Sequence, residues 1–322
     1  MCRGCSGPLQ RAIVDFGADA AGTGIPQKPA EHYGIEVSAS TCWSIVLRHA
    51  QAVDGLPKAA ARVPERDGVA QRIGGEIDGS MLPVVETALP DENHTPVDLR
   101  KTRRVCWKEA RLGPVHEPGS VTPVFGAALG STEAAGEAML RAAIQAGMGR
   151  KTKVHALGDG APRIADQVTL QFGPQANFPG AFYHVCDYLA AAGDTIAGAG
   201  RQVWMETQKE RLKGNRVQDV IAELQPFVEA ERVADGHAPV RAAHRYLSHR
   251  SGRFNYQDAL AAGLPIGSGE IESAHRYIIQ SRLKLAGAWW KPKNAKSMLA
   301  LRVCRANGDW DNYRGSKHQL AA

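Results

Sequence analysis

Two aspartates stand where strands are expected to end in tight glycine turns, Ile77-Asp78-Gly79 and Gly158-Asp159-Gly160. A carboxylate there projects from a sheet edge, and the glycines let another backbone or a phosphate come close. Ligands collect at such strand ends in sheets of mixed order. Asp-Gly is also the commonest tight-turn dipeptide, so either aspartate taken singly reads as a turn residue. A third acid changes the balance. Pro265-Ile266-Gly267-Ser268-Gly269-Glu270-Ile271-Glu272 brings a glycine-flanked helix start directly onto two glutamates. Ser268 suits an N-cap, and first-turn acids favour the helix dipole. Yet helical spacing puts Glu272 on one face with His275, Arg276, Ile279 and Arg282. A carboxylate leading a row of cations suits a site that binds metal and then phosphate. Magnesium prefers one or two carboxylates plus waters and phosphate oxygens, so three acids from separate elements can hold two ions.

The elements that must position these acids follow from pattern. Residues 71–190 predict strands at 73–78 and 81–85 around a hairpin-like Gly79-Ser80, then strands at 105–112 and 121–129. A helix is expected at 132–146, a strand at 153–157, a helix at 161–171, a strand at 177–183 and a helix from His184. Antiparallel strands followed by helix, strand, helix, strand, helix is the order of a ribonuclease-H-like fold, an α/β mixed sheet. Residues 191–264 read as a helical insertion, with Trp204, Leu224 and Phe227 at core-like spacing. Residues 265–322 complete the core with a long helix over 268–285 and another over 292–307. Residues 1–70 form a small helical N-terminal region, with amphipathic runs at 9–20 and 40–53. A glycine turn between them and Arg48 and His49 on the second run outline a helix-turn-helix. A small helical packing module fits that outline equally.

Lys plus Arg exceed Asp plus Glu by 39 − 33 = 6 in 322 residues, a modest pull toward a polyanionic partner. Arg3, Arg11, Asp15 and Asp19 interrupt the N-terminus, which argues against a signal peptide or anchor. No apolar run reaches the roughly 18 residues that a membrane helix needs. Six scattered cysteines make no disulfide framework and point to a reducing cytoplasm.

Three segments also carry a resemblance: Gly158-Asp159-Gly160-Ala161-Pro162, Phe182-Tyr183-His184-Val185-Cys186-Asp187-Tyr188-Leu189, and 265–272 with Ser281-Arg282-Leu283-Lys284. Together with the closing run 301–310, they resemble bacterial DDE transposases of the ISKra-type insertion-sequence family. The resemblance implies a ribonuclease-H-like catalytic domain with an acidic triad and Mg²⁺-dependent DNA cleavage and strand transfer, Mn²⁺ being an alternative ion. By position the triad is Asp78, Asp159 and Glu272, with Glu270 as competitor for the third place. Arg276, Arg282, Lys284 and Arg48 are the expected DNA contacts. A homo-oligomer assembled on DNA, in the cytoplasm and nucleoid-associated, is the expected state. Arg163 and Pro179-Gly180 depart from the family pattern. Two rivals follow: a truncated or decayed DNA-binding remnant, and a nuclease of the same fold that cuts without joining.

Smaller motifs carry less. Asp187 is expected near but outside the metal site, at a packed strand-to-helix junction. Cys2-x-x-Cys5 has the spacing of half a zinc site, with no second pair nearby. Trp289-Trp290 before Lys291 could stack on an unpaired base, although aromatic pairs at a helix end are more often core.

Overall fold

A computed structural model describes residues 5–22, 24–87, 98 and 101–313. The chain begins with helices α1 (Gly7–Asp19), α2 (Gly24–Tyr33) and α3 (Ala39–Asp54), then strands β1 (Arg72–Glu76), β2 (Asp78–Glu86), β3 (Arg104–His116) and β4 (Val124–Leu129). Alternation follows: α4 (Thr132–Gln145), β5 (Lys153–Leu157), α5 (Pro162–Phe172), β6 (Ala176–Asn177) and α6 (Phe182–Ile196). Helices α7 (Arg201–Lys213), α8 (Val217–Leu224), α9 (Pro239–Ser248) and α10 (Tyr256–Ala261) come next. The chain closes on α11 (Gly269–Ala274), a π-helical stretch His275–Gln280, α12 (Ser281–Leu283) and α13 (Pro292–Ala306).

The protein is mixed α/β. Gly79-Ser80 does not turn a hairpin. Gly75 pairs with Val115 and Asp78 with Leu112, a step of three on each strand, so β1 and β2 run along one edge of β3 in a single register. Tight-turn chemistry yields here because an extended β3 offers partners to both halves. The break falls at Ile77, whose N–H leaves β3 for the Leu157 carbonyl at 2.9 Å. β3 is longer than expected and carries β4 on its other edge, since Leu112 pairs with both Asp78 and Ala127. β1 then pairs in parallel with β5, and β5 with β6.

The last strand is far shorter than the expected 177–183. Pro179 has no N–H to give a ladder, and the Gly180 N–H is drawn to the Arg253 carbonyl at 2.9 Å. A single bridge to Gly158 remains, and α6 begins at Phe182 instead of His184.

Three apolar clusters hold this together. Ile73, Met139, Val154, Val168 and their neighbours join α4 and α5 to one face of the sheet. Leu82, Val84 and Leu112 meet α11–α13 and the N-terminal helices on the other. Helices α1–α3 therefore share a core with the C-terminal helix. α2 intervenes between the two expected helices, and Trp43 of α3 lies 5.6 Å from Trp290. The third cluster belongs to α6–α10, with Leu189, Leu212, Val220, Leu224 and Leu247 at its centre. The region 191–264 is helical as expected, although Phe227 is exposed.

The expected helix over 268–285 is interrupted by the π turn, and the cause is visible. The carbonyls of Tyr277 and Ile278 accept from the Arg302 guanidinium, which is only 5% exposed. A turn closed by i→i+5 bonds inserts about one residue and shifts every face beyond it.

Candidate active site

Asp78 and Asp159 meet at one end of the sheet. Glu76 of β1 pairs with Leu157 of β5, and each aspartate lies two residues beyond its paired residue. Both line one cavity of 410 Å³. A Cβ on Gly79 would fall 1.9 Å from Glu109 Oε1, so the Glu109 carboxylate lies directly over the glycine and would have to swing aside for any larger residue.

The Asp159 turn is held from two sides. Asp159 Oδ1 accepts the Ala161 N–H at 2.8 Å at the start of α5. Its carbonyl accepts the Tyr246 hydroxyl at 2.8 Å, and Arg250 Nε donates to the Gly160 carbonyl at 2.9 Å. Gly160 has φ 77°, the left-handed region, with Arg250 and Tyr246 each 3.1 Å from where a Cβ would stand. The helical insertion thus packs against the candidate site. Burial pushes the Tyr246 hydroxyl up to about 12, so it stays a donor. Tyr246→Phe is expected to cost about 1 kcal/mol of stability, measured by urea denaturation, because the Asp159 carbonyl loses its partner.

Glu272 does not line the cavity of the two aspartates; it is exposed in the first turn of α11. Its helix is nevertheless tied to their strands. The Ile271 N–H donates to Glu76 Oε2, two residues before Asp78, at 2.7 Å, while His275 is buried with its Nε2 unpartnered among the described residues. His155 Nε2 lies 2.8 Å from the Pro265 carbonyl and fixes the loop entering α11. Burial pushes the Glu76 carboxyl up to about 7; the Ile271 N–H and His116 oppose the rise, while Glu270 and Glu272 add to it. Burial also lowers the pKa of His275, with Asp78 pulling the other way.

The two competing glutamates differ in occupation. Glu270 Oε2 is 2.7 Å from His116 Nε2. Glu272 makes no side-chain hydrogen bond or ion pair among the described residues. It is therefore the freer ligand.

Sequence reasoning missed Glu109 and Arg111. They sit two apart on β3, Arg111 opposite Gly79 and Glu109 opposite Met81, in a strand whose further charges, Arg104 and Lys108, blur that alternation in the sequence. Arg111 pairs with Glu109, yet its Nε and Nη1 are buried and without acceptors among the described residues. Both residues line the cavity with Asp78 and Asp159. Buried donors without acceptors at such a place suit an incoming anion.

The expected DNA contacts separate. Arg276 is exposed, and Lys284 Nζ donates to Ser80 Oγ at 3.0 Å, two residues from Asp78. Arg282 is buried at 2% exposure, because the π turn rotates it inward, and its Nε donates to the Gly17 carbonyl. It cannot sit on the surface row with Arg276. Arg48 donates to Gln10 Oε1 at 2.9 Å within the N-terminal bundle. Arg201, Lys209, Arg211 and Lys213 of the insertion are each paired with an acid. Burial pushes the Cys186 thiol up to about 11, and Asp187 is exposed. Cys2 lies outside the described residues.

For a divalent ion the donor chemistry fits in part. Asp78 and Asp159 supply hard oxygens at one cavity, and magnesium is commonly held by one or two carboxylates plus waters and phosphate. Among the described residues no three His, Cys, Asp or Glu side chains stand close enough together to hold an ion. No helix among them is long and apolar enough to cross a membrane. No protein-family model and no curated protein matches the chain.

Proposed function

We propose that the chain is a DDE-type insertion-sequence transposase with a ribonuclease-H-like core, cutting and joining DNA at element ends. The observation that carries this reading is the meeting of Asp78 and Asp159 at one cavity walled by Arg111. The order β4-β3-β1-β5-β6, antiparallel on one side of β1 and parallel on the other, supports the fold assignment. The resemblance of 158–162, 182–189 and 265–284 to the ISKra-type family supports the rest.

In this account Asp78 and Asp159 would hold Mg²⁺ at their shared cavity, with Glu272, which lies outside that cavity, as the third ligand that would have to move in. Metal held there would supply positive charge to the oxygens that attack and leave at a phosphodiester. Arg111 offers its two unpartnered N–H groups to the phosphate between the aspartates. Tyr246 and Arg250 keep the Asp159 turn rigid, and Glu76, two residues before Asp78, holds the start of α11 through the Ile271 N–H. DNA is the partner, held as a homo-oligomeric assembly.

The test is a cleavage assay on a supercoiled plasmid carrying this reading frame with its own flanking DNA. Mg²⁺-dependent nicks at the two boundaries of the element are expected; nicks scattered without regard to those boundaries would instead indicate a nuclease. Exposed Arg276 should hold backbone without reading bases. Arg276→Ala is therefore expected to weaken binding to all duplexes alike and to make the log–log salt slope shallower by about one unit. An unchanged slope, measured by titration at several salt concentrations, would remove Arg276 from the contact.

A further inference from the structure

A second cavity, of 700 Å³, opens between the N-terminal helices and the segment after α12. Ala39, Ser40 and Trp43 of α3 form one wall, and Arg282, Gly287 and Trp289 line it elsewhere. Arg282 is unusual. At 2% exposure, its guanidinium lies 4.8 Å from the Trp290 ring and 5.6 Å from that of Trp43. Its one hydrogen bond among the described residues runs from Nε to the Gly17 carbonyl, and it makes no ion pair among them. Burial lowers the Arg282 pKa to about 10, the Arg302 charge adds to the fall, and Asp19, itself ion-paired to Arg302 and Arg305, opposes it. A desolvated cation with no acid paired to it directly is costly, and an anion at this place would complete it.

The same cavity receives the start of a sixteen-residue helix. Ser38 Oγ caps the Thr41 N–H at 3.2 Å, which leaves the first amides of α3, those of Ala39 and Ser40, without acceptors inside the helix. A helix start of this kind favours phosphate. At the rim, Trp289 is 67% exposed, a large aromatic face with nothing on it among the described residues. Lys284, two residues past Arg282, reaches Ser80 and so places the cavity beside the Asp78 strand.

We infer that this cavity takes one unpaired nucleotide of a DNA strand, its phosphate on Arg282 and the α3 start and its base on Trp289. The inference rests on the DNA-processing reading above and adds a single-strand subsite to it. Stacking tolerates any base, because each has a π-face, while a buried guanidinium and helix amides recognise only the anion.

The test uses the full chain, a fluorescent eight-nucleotide thymidine strand and a duplex of equal length, both titrated by anisotropy. Trp289→Ala should weaken the single strand by about tenfold, the usual scale for one lost base stack, with the duplex nearly unchanged; Trp289→Phe should retain most of the affinity. Arg282→Lys should also weaken the single strand, and circular dichroism checks that it folds. If it does not, the exposed Trp289 pair decides alone. Equal single-strand affinity in wild type and Trp289→Ala overturns the inference. Inorganic phosphate raising the melting temperature of wild type, together with that equal affinity, would make the cavity a free-anion site and overturn it too. Boundary cleavage is read separately. A single-strand defect without cleavage in the wild type would leave the subsite standing and the transposase reading fallen, and the converse would do the reverse.

Discussion

Asp159→Asn should reduce Mg²⁺-dependent DNA cleavage by about a thousandfold or more while leaving the protein folded. The asparagine carbonyl oxygen can still accept the Ala161 N–H that Asp159 Oδ1 accepts at 2.8 Å, so the start of α5 keeps its partner. The Tyr246 bond goes to the backbone carbonyl and is untouched. Only the charge is lost, and with it a hard anionic ligand at the cavity shared with Asp78. Each ~1.4 kcal/mol removed from transition-state stabilisation costs tenfold, so a thousandfold loss corresponds to about 4 kcal/mol, the scale expected of a metal ligand. Cleavage rates at saturating Mg²⁺ and thermal melting of the same preparation measure both halves. Cleavage within tenfold of wild type would remove Asp159 from the chemistry.

The metal-free protein should lose stability as pH rises from about 4.5 to about 7, and Glu76 should be responsible. Burial raises its carboxyl from 4.5 to about 7. A group whose folded pKa lies above its unfolded value binds its proton more tightly in the folded state. Its contribution is therefore complete below about pH 4.5 and is lost as pH climbs through the folded pKa. The displacement corresponds to about 3 kcal/mol. Glu76→Gln keeps an oxygen for the Ile271 N–H, which now donates at 2.7 Å, and removes the titration. Melting curves in chelator should show wild type falling relative to Glu76→Gln across that window, ending below it at pH 8. Parallel profiles would mean that Glu76 is not the titrating group.

Where local chemistry and tertiary demand agreed, the sequence was legible. The strand Lys153–Leu157, the helices on either side of it and the Asp159 turn lie close to where periodicity placed them. Gly79-Ser80 failed as a hairpin because its turn preference is local, whereas β3 supplies backbone partners over thirteen residues. Arg282 failed as a surface cation because a face computed at 3.6 residues per turn does not survive a π turn. That turn is stabilised by Arg302, 24 residues beyond Ile278, whose role no helical wheel contains. Glu109 and Arg111 were overlooked because their relevance comes from a register opposite Gly79, a relation that exists only once β2 and β3 pair. Spacing already favoured Glu272 over Glu270, but it could not show that His116, 154 residues from Glu270, occupies that competitor.

The most direct test of the central claim is strand joining. Purified protein, Mg²⁺, a labelled duplex carrying one element end and an unlabelled target plasmid are incubated together, and the junctions are sequenced. The account predicts labelled strands joined through the 3′ end of the element to the target, absent with Asp78→Asn and with Asp159→Asn. Boundary-specific cleavage with no joined product, or joined product undiminished by either substitution, would contradict it.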